Sequence, residues 1–220
     1  MQLIEDLRAD HDLIDQVLGS LRAFVAARVA GGGNPAAGPV FMAFFRDFAG
    51  ACHHAKEEDI LFRALSERAE LPADRGPIWA LTLEHQRMAG VLAELAGLLE
   101  APLGEGADRL RLQALAVDYS RSLWHHIDAE NSVMFPEGQE HLRRFHILEL
   151  PAPPMTEAQL ASRDAGAALV AAYPPQPDPE VIRGDGCMGC PSYLVTCEGL
   201  EREWWTDLAW EDFEDRMSSD

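Results

Sequence analysis

Residues 53–62 read HHAKEEDILF, and residues 126–135 read HIDAENSVMF. Superposed at an offset of 73, each has a histidine, a glutamate four positions on and a phenylalanine five further: His53, Glu57, Phe62 and His126, Glu130, Phe135. Positions i and i+4 stack on one face of an α-helix, so each histidine lies beside its own glutamate. Followed outward at steps of three and four, the first stripe is Met42, Phe45, Ala49, His53, Glu57, Ile60, Ala64. The second is Leu115, Tyr119, Ser122, His126, Glu130, Val133. An amphipathic helix turns such a stripe toward a core, which makes the His/Glu pairs interior groups.

The same doubling holds for two further stripes. Ile4, Leu7, His11, Ile14, Leu18, Leu21 and Val25 recur 74 residues later as Ile78, Leu81, His85, Met88, Leu92, Leu95 and Leu99. Each stripe is apolar except for one histidine in the same place. Gly and Pro punctuate the chain at 31–39, 71–77 and 101–107. Between them lie four Ala/Leu/Arg/Glu-rich segments, at about 2–29, 39–70, 77–100 and 107–149. Strand signals are nearly absent there. Helices with short connections predict an all-α, up-down-up-down four-helix bundle built from two copies of one helical hairpin.

Four histidines and two glutamates thus meet in one interior. A lone core histidine is ordinarily a hydrogen-bonded core residue, and a lone His-x3-Glu is ordinarily an exposed pair. Here six such groups occupy matched positions on otherwise apolar stripes. Two buried carboxylates without counter-charge are strongly destabilising, and a cationic centre removes that penalty. Imidazole and carboxylate with no thiolate suit iron or manganese better than zinc. Six donors are too many for one tetrahedral ion. They fit two ions that share the carboxylates as bridges, with positions left open for a small ligand.

These motifs resemble the hemerythrin-like (HHE) family of di-iron four-helix proteins. The resemblance covers about residues 1–150 and rests on His11, HHAKEEDILF, His85 within LEHQ, and HIDAENSVMFP at 126–136. It implies two iron ions, joined by an oxo or hydroxo bridge, held by His11, His53, Glu57, His85, His126 and Glu130. Ferritin-like di-iron bundles use the opposite order, Glu-x-x-His, which neither motif fits. Spacing from Phe62 and Phe135 selects His53 over His54 and His126 over His125. His54, Glu58 and His125 are therefore expected at the surface or as outer hydrogen-bond partners. Metal-bound imidazoles want an acceptor on their other nitrogen, and helical spacing offers Asp15, Ser122 and Thr82. Oxygen-carrying hemerythrins have a further histidine where this chain has Ala89, and an aspartate where it has Glu130. A set of four His and two Glu is closer to relatives implicated in nitric oxide response and iron–sulfur cluster repair. Those usually carry an extra N-terminal domain with its own cysteines.

After residue 150 the character changes. PAPP at 151–154 opens an extension to residue 220, with a small-residue helix expected at 156–172 and a Pro-rich stretch, YPPQPDP, at 173–179. Cys187, Cys190 and Cys197 form C-x2-C-x6-C. They read as a zinc site, an iron–sulfur cluster, a redox dithiol or inert cysteines. Asp185, His141, His146 or a cysteine of another chain could complete a metal site. Cys52 reads as a small buried residue. Trp204, Trp205, Trp210 and Phe213 read as an amphipathic segment docking on the bundle. All six bundle ligands precede the linker, so residues 1–150 are expected to fold and bind metal alone.

Charge and composition narrow the function. Lys+Arg total 18 against 37 Asp+Glu, a net charge of −19, which opposes binding to a phosphate backbone and argues against nucleic acid as a partner. A hydrophobic fraction of 47% is enough for a true core and excludes global disorder. No run approaches the ~20 apolar residues of a membrane span. The start, MQLIEDLRADH, lacks the basic and apolar regions of a signal peptide, so a cytoplasmic location away from membranes is expected. The expected function is a non-haem di-iron protein that binds or senses O2 or NO. The alternative is a di-iron redox enzyme of nitric oxide or peroxide detoxification or of cluster repair. The tail is then the contact for an electron donor or a regulatory protein.

Overall fold

The apolar stripes become the faces along which four long helices pack. A computed structural model describes residues 1–100, 103–104, 106–181, 183, 200 and 202–218. Helix α1 spans Gln2–Val29, α2 spans 37–68, α3 spans Gly76–Glu100 and α4 spans 107–144. Among the described residues there is no strand. The connections are short, and α4 packs against both α1 and α3 while α2 fills the opposite side. The four-helix bundle is the one the sequence predicts.

Two helices are not regular. In α2, Phe44–His54 and Glu57–Phe62 are π-helical, and in α4 so is Glu130–Met134. The i→i+5 turn is wider than an α-turn and is found mostly at functional sites. Here all three stretches carry or border the His/Glu motifs. Pro136, which has no N–H to donate, follows directly after the wide turn of α4, where the hydrogen-bond ladder is already offset. Helix α4 also ends earlier than its pattern suggests, at Arg144 rather than near 149. His146 takes the left-handed conformation (φ 59°). Its N–H donates to Arg143 O (2.9 Å), and Ile147 N–H donates to Leu142 O (2.9 Å). This is a Schellman stop, sealed by contact between apolar Ile147 and Leu142, for which periodicity alone gives no signal.

The interior has three layers. One apolar cluster gathers Ile14, Leu21, Phe24, Phe41, Phe45 and their neighbours, and a second gathers Leu3, Leu7, Leu61, Leu65, Phe135 and Leu142. Between them in sequence and in space lies a buried polar layer of Asp10, His11, His53, Glu57, His85, His126 and Glu130.

The extension is laid along the bundle rather than set apart from it. Helix α5 (Glu157–Ala172) starts at a capping box, with Gln159 N–H donating to Thr156 Oγ1 (3.2 Å). It packs on α1 and α2 so closely that a Cβ on Gly166 would run into the Phe44 ring. Leu169 joins the first apolar cluster. The following strap crosses α1 and α4: Gln176 N–H donates to Gly19 O (3.1 Å), and Asp178 pairs with Arg121 (2.7 Å) and Arg22 (3.1 Å). Arg183 then pairs with Asp128 (2.9 Å) and Asp15 and lies over the Trp124 ring. A final helix, α6 (Asp207–Met217), brings Trp210 and Phe213, with Trp205 just before it, into the second apolar cluster. The expected docking of the aromatic segment is seen. The packing does not divide at residue 150, because the extension contributes to both cores.

Candidate metal centre

All six expected donors meet in the polar layer. Glu57 and Glu130 are 0% exposed, and His11 and His53 each 1%. The two carboxylates are arranged as bridges. Glu57 turns Oε1 toward His53 Nε2 (3.2 Å) and His11 Nε2 (3.8 Å), and Oε2 toward His85 Nε2 (3.5 Å). Glu130 turns Oε2 toward His11 Nε2 (3.3 Å) and Oε1 toward His126 Nε2 (3.3 Å). Two overlapping groups result, His11/His53/Glu57/Glu130 and His54/Glu57/His85/His126, with donor atoms in each within 4.8 Å of one another.

His54 corrects the sequence reading, which expected it at the surface or as an outer partner. It stacks on His85 with ring centroids 3.9 Å apart, and its Nε2 is buried without a hydrogen-bond partner. The reason is the π-helical stretch. In a wider turn successive side chains advance by a smaller angle, so adjacent residues share the inner face. Both histidines of the doublet therefore reach the interior. In α4 the equivalent of His54 is Ile127, so the two halves of the repeat differ here. His125 joins neither group.

Of the outer partners expected, Glu58 takes that role and the rest do not. Asp15 is engaged with Arg183, and neither Ser122 nor Thr82 meets an imidazole. Instead His11 Nδ1 donates to Asn131 Oδ1 (3.0 Å), His85 Nδ1 to Glu58 Oε1 (2.7 Å) and His126 Nδ1 to Glu84 Oε2 (2.8 Å). His53 Nδ1 faces Asp10 Oδ2 at 3.6 Å, and Asp10 also takes a 2.7 Å hydrogen bond from Lys56 Nζ. Each partner is the sequence neighbour of a donor on an adjacent helix: Asp10 beside His11, Glu58 beside Glu57, Glu84 beside His85, Asn131 beside Glu130. The repeat pairs them as well, Asp10 with Glu84 and Glu58 with Asn131. That pairing was present in the sequence and could have found them.

The electrostatics require a cation. Burial opposes the charged form of His53, yet the Glu57 charge and the nearby Asp10 carboxylate push its pKa up to about 9. His126 is pushed up to about 10 by Glu130 and Glu84, against the same burial. Burial raises Glu130, but the His126 and His11 charges outweigh it and hold the carboxyl well below its usual range. With Nδ1 of His85 and His126 both turned to carboxylates, their Nε2 atoms face each other at 2.8 Å in the interior. His11 Nε2, His54 Nε2 and all four oxygens of Glu57 and Glu130 are buried without hydrogen-bond partners. Two buried carboxylates and converging imidazoles need positive charge among them, which protons on His53 and His126 supply in part and metal ions supply in full, so these residues fit a metal centre.

A cleft of about 260 Å³ between α2 and α3 reaches His54 and His85 from solvent, with Met42, Phe45, Met88 and Leu92 among its walls. Ala89 is exposed at its open side.

Of the extension's candidate ligands, Cys187, Cys190, Cys197 and Asp185 lie outside the described residues. His141 donates from Nε2 to Ala69 O (2.7 Å), and His146 caps α4. Cys52 is buried, as expected. No described helix is long and apolar enough to cross a membrane.

No curated protein and no solved structure matches the chain. A family model does: that of the hemerythrin HHE cation binding domain, over residues 2–137. That stretch contains both His/Glu groups and all four outer partners, and it takes in more than half of the sequence. The chain belongs to the hemerythrin HHE cation-binding family.

Proposed function

We propose that the centre holds two iron ions and that the protein binds or senses a diatomic ligand, O2 or NO. The observation that carries this reading is the pair of His/Glu groups sharing Glu57, with buried unpartnered donor atoms, beside an apolar cleft. Imidazole and carboxylate donors without thiolate suit iron. Reduced iron with an open coordination position supplies the affinity for a diatomic. The chain supplies the rest. Glu58, Glu84 and Asn131 hold three imidazoles in the tautomer that turns Nε2 inward, and Asp10 faces the fourth. Met42, Phe45 and Met88 keep the approach to His54 and His85 apolar, which suits a small neutral gas and disfavours ions.

The test is an anaerobic optical titration of the full chain, after its iron per chain has been measured. Binding or sensing predicts a spectral change with O2 or NO that reverses when the gas is removed. Net gas or peroxide consumption over many turnovers would instead make the chain a redox enzyme. The tail, with its three cysteines, is where we place contact with an electron donor or regulatory protein. Iron content near zero after growth in iron, with manganese in its place, would overturn the choice of metal.

A further inference from the structure

The cleft between α2 and α3 is much larger than a diatomic needs. Its volume of about 260 Å³ has room for about nine non-hydrogen atoms at the ~30 Å³ that a water takes up in the liquid. It is also long. His85 and Ala96 both line it, and helical rise puts them roughly 16 Å apart along α3. Its walls are apolar, with Met42, Phe45, Met88 and Leu92 facing inward. The charged side chain on the cleft, Arg46, is 68% exposed and bonded to Asp47.

Tyr119 provides a second, independent observation. It lines the same cleft and is 3% exposed, and its hydroxyl, which makes no hydrogen bond with any described residue, is not sealed in the core but open to the cleft. A phenol donor open to an otherwise apolar cleft is satisfied by water when the cleft is empty and by a ligand acceptor when it is filled. The ring is held in place edge-on to Phe45, at 5.1 Å. Burial pushes the phenol above its ordinary range, so the group remains a donor.

We propose that the cleft is a binding site for a neutral organic molecule of about nine non-hydrogen atoms, whose apolar body packs on Met42, Phe45, Met88 and Leu92 and whose single oxygen accepts a hydrogen bond from Tyr119. The size follows from the volume, the apolar body from the walls and the oxygen from the unmatched hydroxyl. The site does not depend on which metal the neighbouring centre holds.

Octan-1-ol has the required size and one oxygen, and it serves as the probe. Calorimetric titration of the full-length, metal-loaded protein should show one saturable site per chain. Tyr119→Phe keeps the ring and removes the donor. It should weaken octan-1-ol about three- to tenfold, the worth of one neutral hydrogen bond, and leave toluene, which has no such acceptor, unchanged. Ala89→Trp, at an exposed position on the open side, should block both probes without altering metal content. Ala89→Leu is the milder variant if the tryptophan disturbs folding, as judged by thermal melting. Absence of saturable binding to the parent would overturn the proposal, as would octan-1-ol binding that neither Ala89 variant weakens. Equal loss of toluene and octan-1-ol in Tyr119→Phe would remove the hydrogen bond from it. Metal content, measured in every sample, reports separately on the di-iron reading.

Discussion

Trimming Asp10 to alanine removes the outer partner of His53, and the burial of its surroundings sets the size of the effect. Losing such a partner typically lowers metal affinity about 10- to 100-fold, ~1.4–2.7 kcal/mol. Glu84, the equivalent partner of His126, is 49% exposed, so water can replace it as acceptor. Glu84→Ala should therefore fall at the low end, about tenfold. Asp10 is 8% exposed, and its other partner, Lys56, is 11% exposed. Without Asp10 the Lys56 ammonium is left uncompensated beside a site that must accept cations. Asp10→Ala should fall at the high end, about 100-fold, and adding Lys56→Met should recover part of the loss. Distance alone predicts the reverse order, since Asp10 is 3.6 Å from its imidazole and Glu84 is 2.8 Å from its own. The assay is competition for iron against a chelator of known affinity, at fixed pH and salt. Glu84→Ala costing as much as Asp10→Ala, or a double variant no better than the single one, would refute the reasoning.

Under the same chelator challenge, His54→Ala should hold less metal than the parent, while His125→Ala should match it. In the metal-free chain, His53 and His126 have pKa values of about 9 and about 10, raised above the ordinary 6.5. Their stabilisation is complete below about pH 6.5 and is lost as pH rises through 9 to 10, so the melting temperature of demetallated protein should drop across that window. Metal-loaded protein should weaken in acid instead, as protons compete for the imidazoles. Gly166→Val forces the Phe44 ring aside and should cost about 1–3 kcal/mol in urea unfolding without changing metal stoichiometry. A chain cut after Leu150 uncovers the surfaces beneath Leu169, Trp210 and Phe213. It should melt well below the full chain, and equal melting would show that the extension merely rests on the bundle.

The bundle and the inner donors were legible because helical periodicity is strong over segments of this length, and because each stripe was interrupted by polar groups at matched offsets. Periodicity failed where the helix itself departed from 3.6 residues per turn. His54 reaches the interior at the end of the π-helical stretch Phe44–His54, and the sequence contains no simple signal for that stretch. Glu58 was expected at the surface or as an outer partner, but the other three outer partners were missed for a different reason. Asp15, Ser122 and Thr82 were sought on the ligand's own helix, whereas Asp10, Glu58, Glu84 and Asn131 reach across from a neighbouring one. Helix spacing describes one helix at a time and says nothing about contacts between two. The extension was read correctly as helix, Pro-rich stretch and aromatic end. Its intimacy with the bundle depends on Gly166 meeting Phe44 and Asp178 meeting two arginines, contacts over long sequence separations that carry no local pattern.

The strap across α1 and α4 has a kinetic consequence. Helix α1 carries His11, and α4 carries His126 and Glu130, so a bound ion can leave through that seam only when the two helices part. Asp178, held by Arg22 and Arg121, and Arg183, held by Asp15 and Asp128, latch the seam from outside. Exchange through that seam, as distinct from the cleft between α2 and α3, depends on how often the latch lifts. Salt weakens partly exposed ion pairs while leaving the buried donors almost untouched. If ions pass through this seam, raising ionic strength should speed the exchange of bound for free metal in both directions, with little change in how much metal is bound at equilibrium; exchange indifferent to salt would place the route at the cleft between α2 and α3.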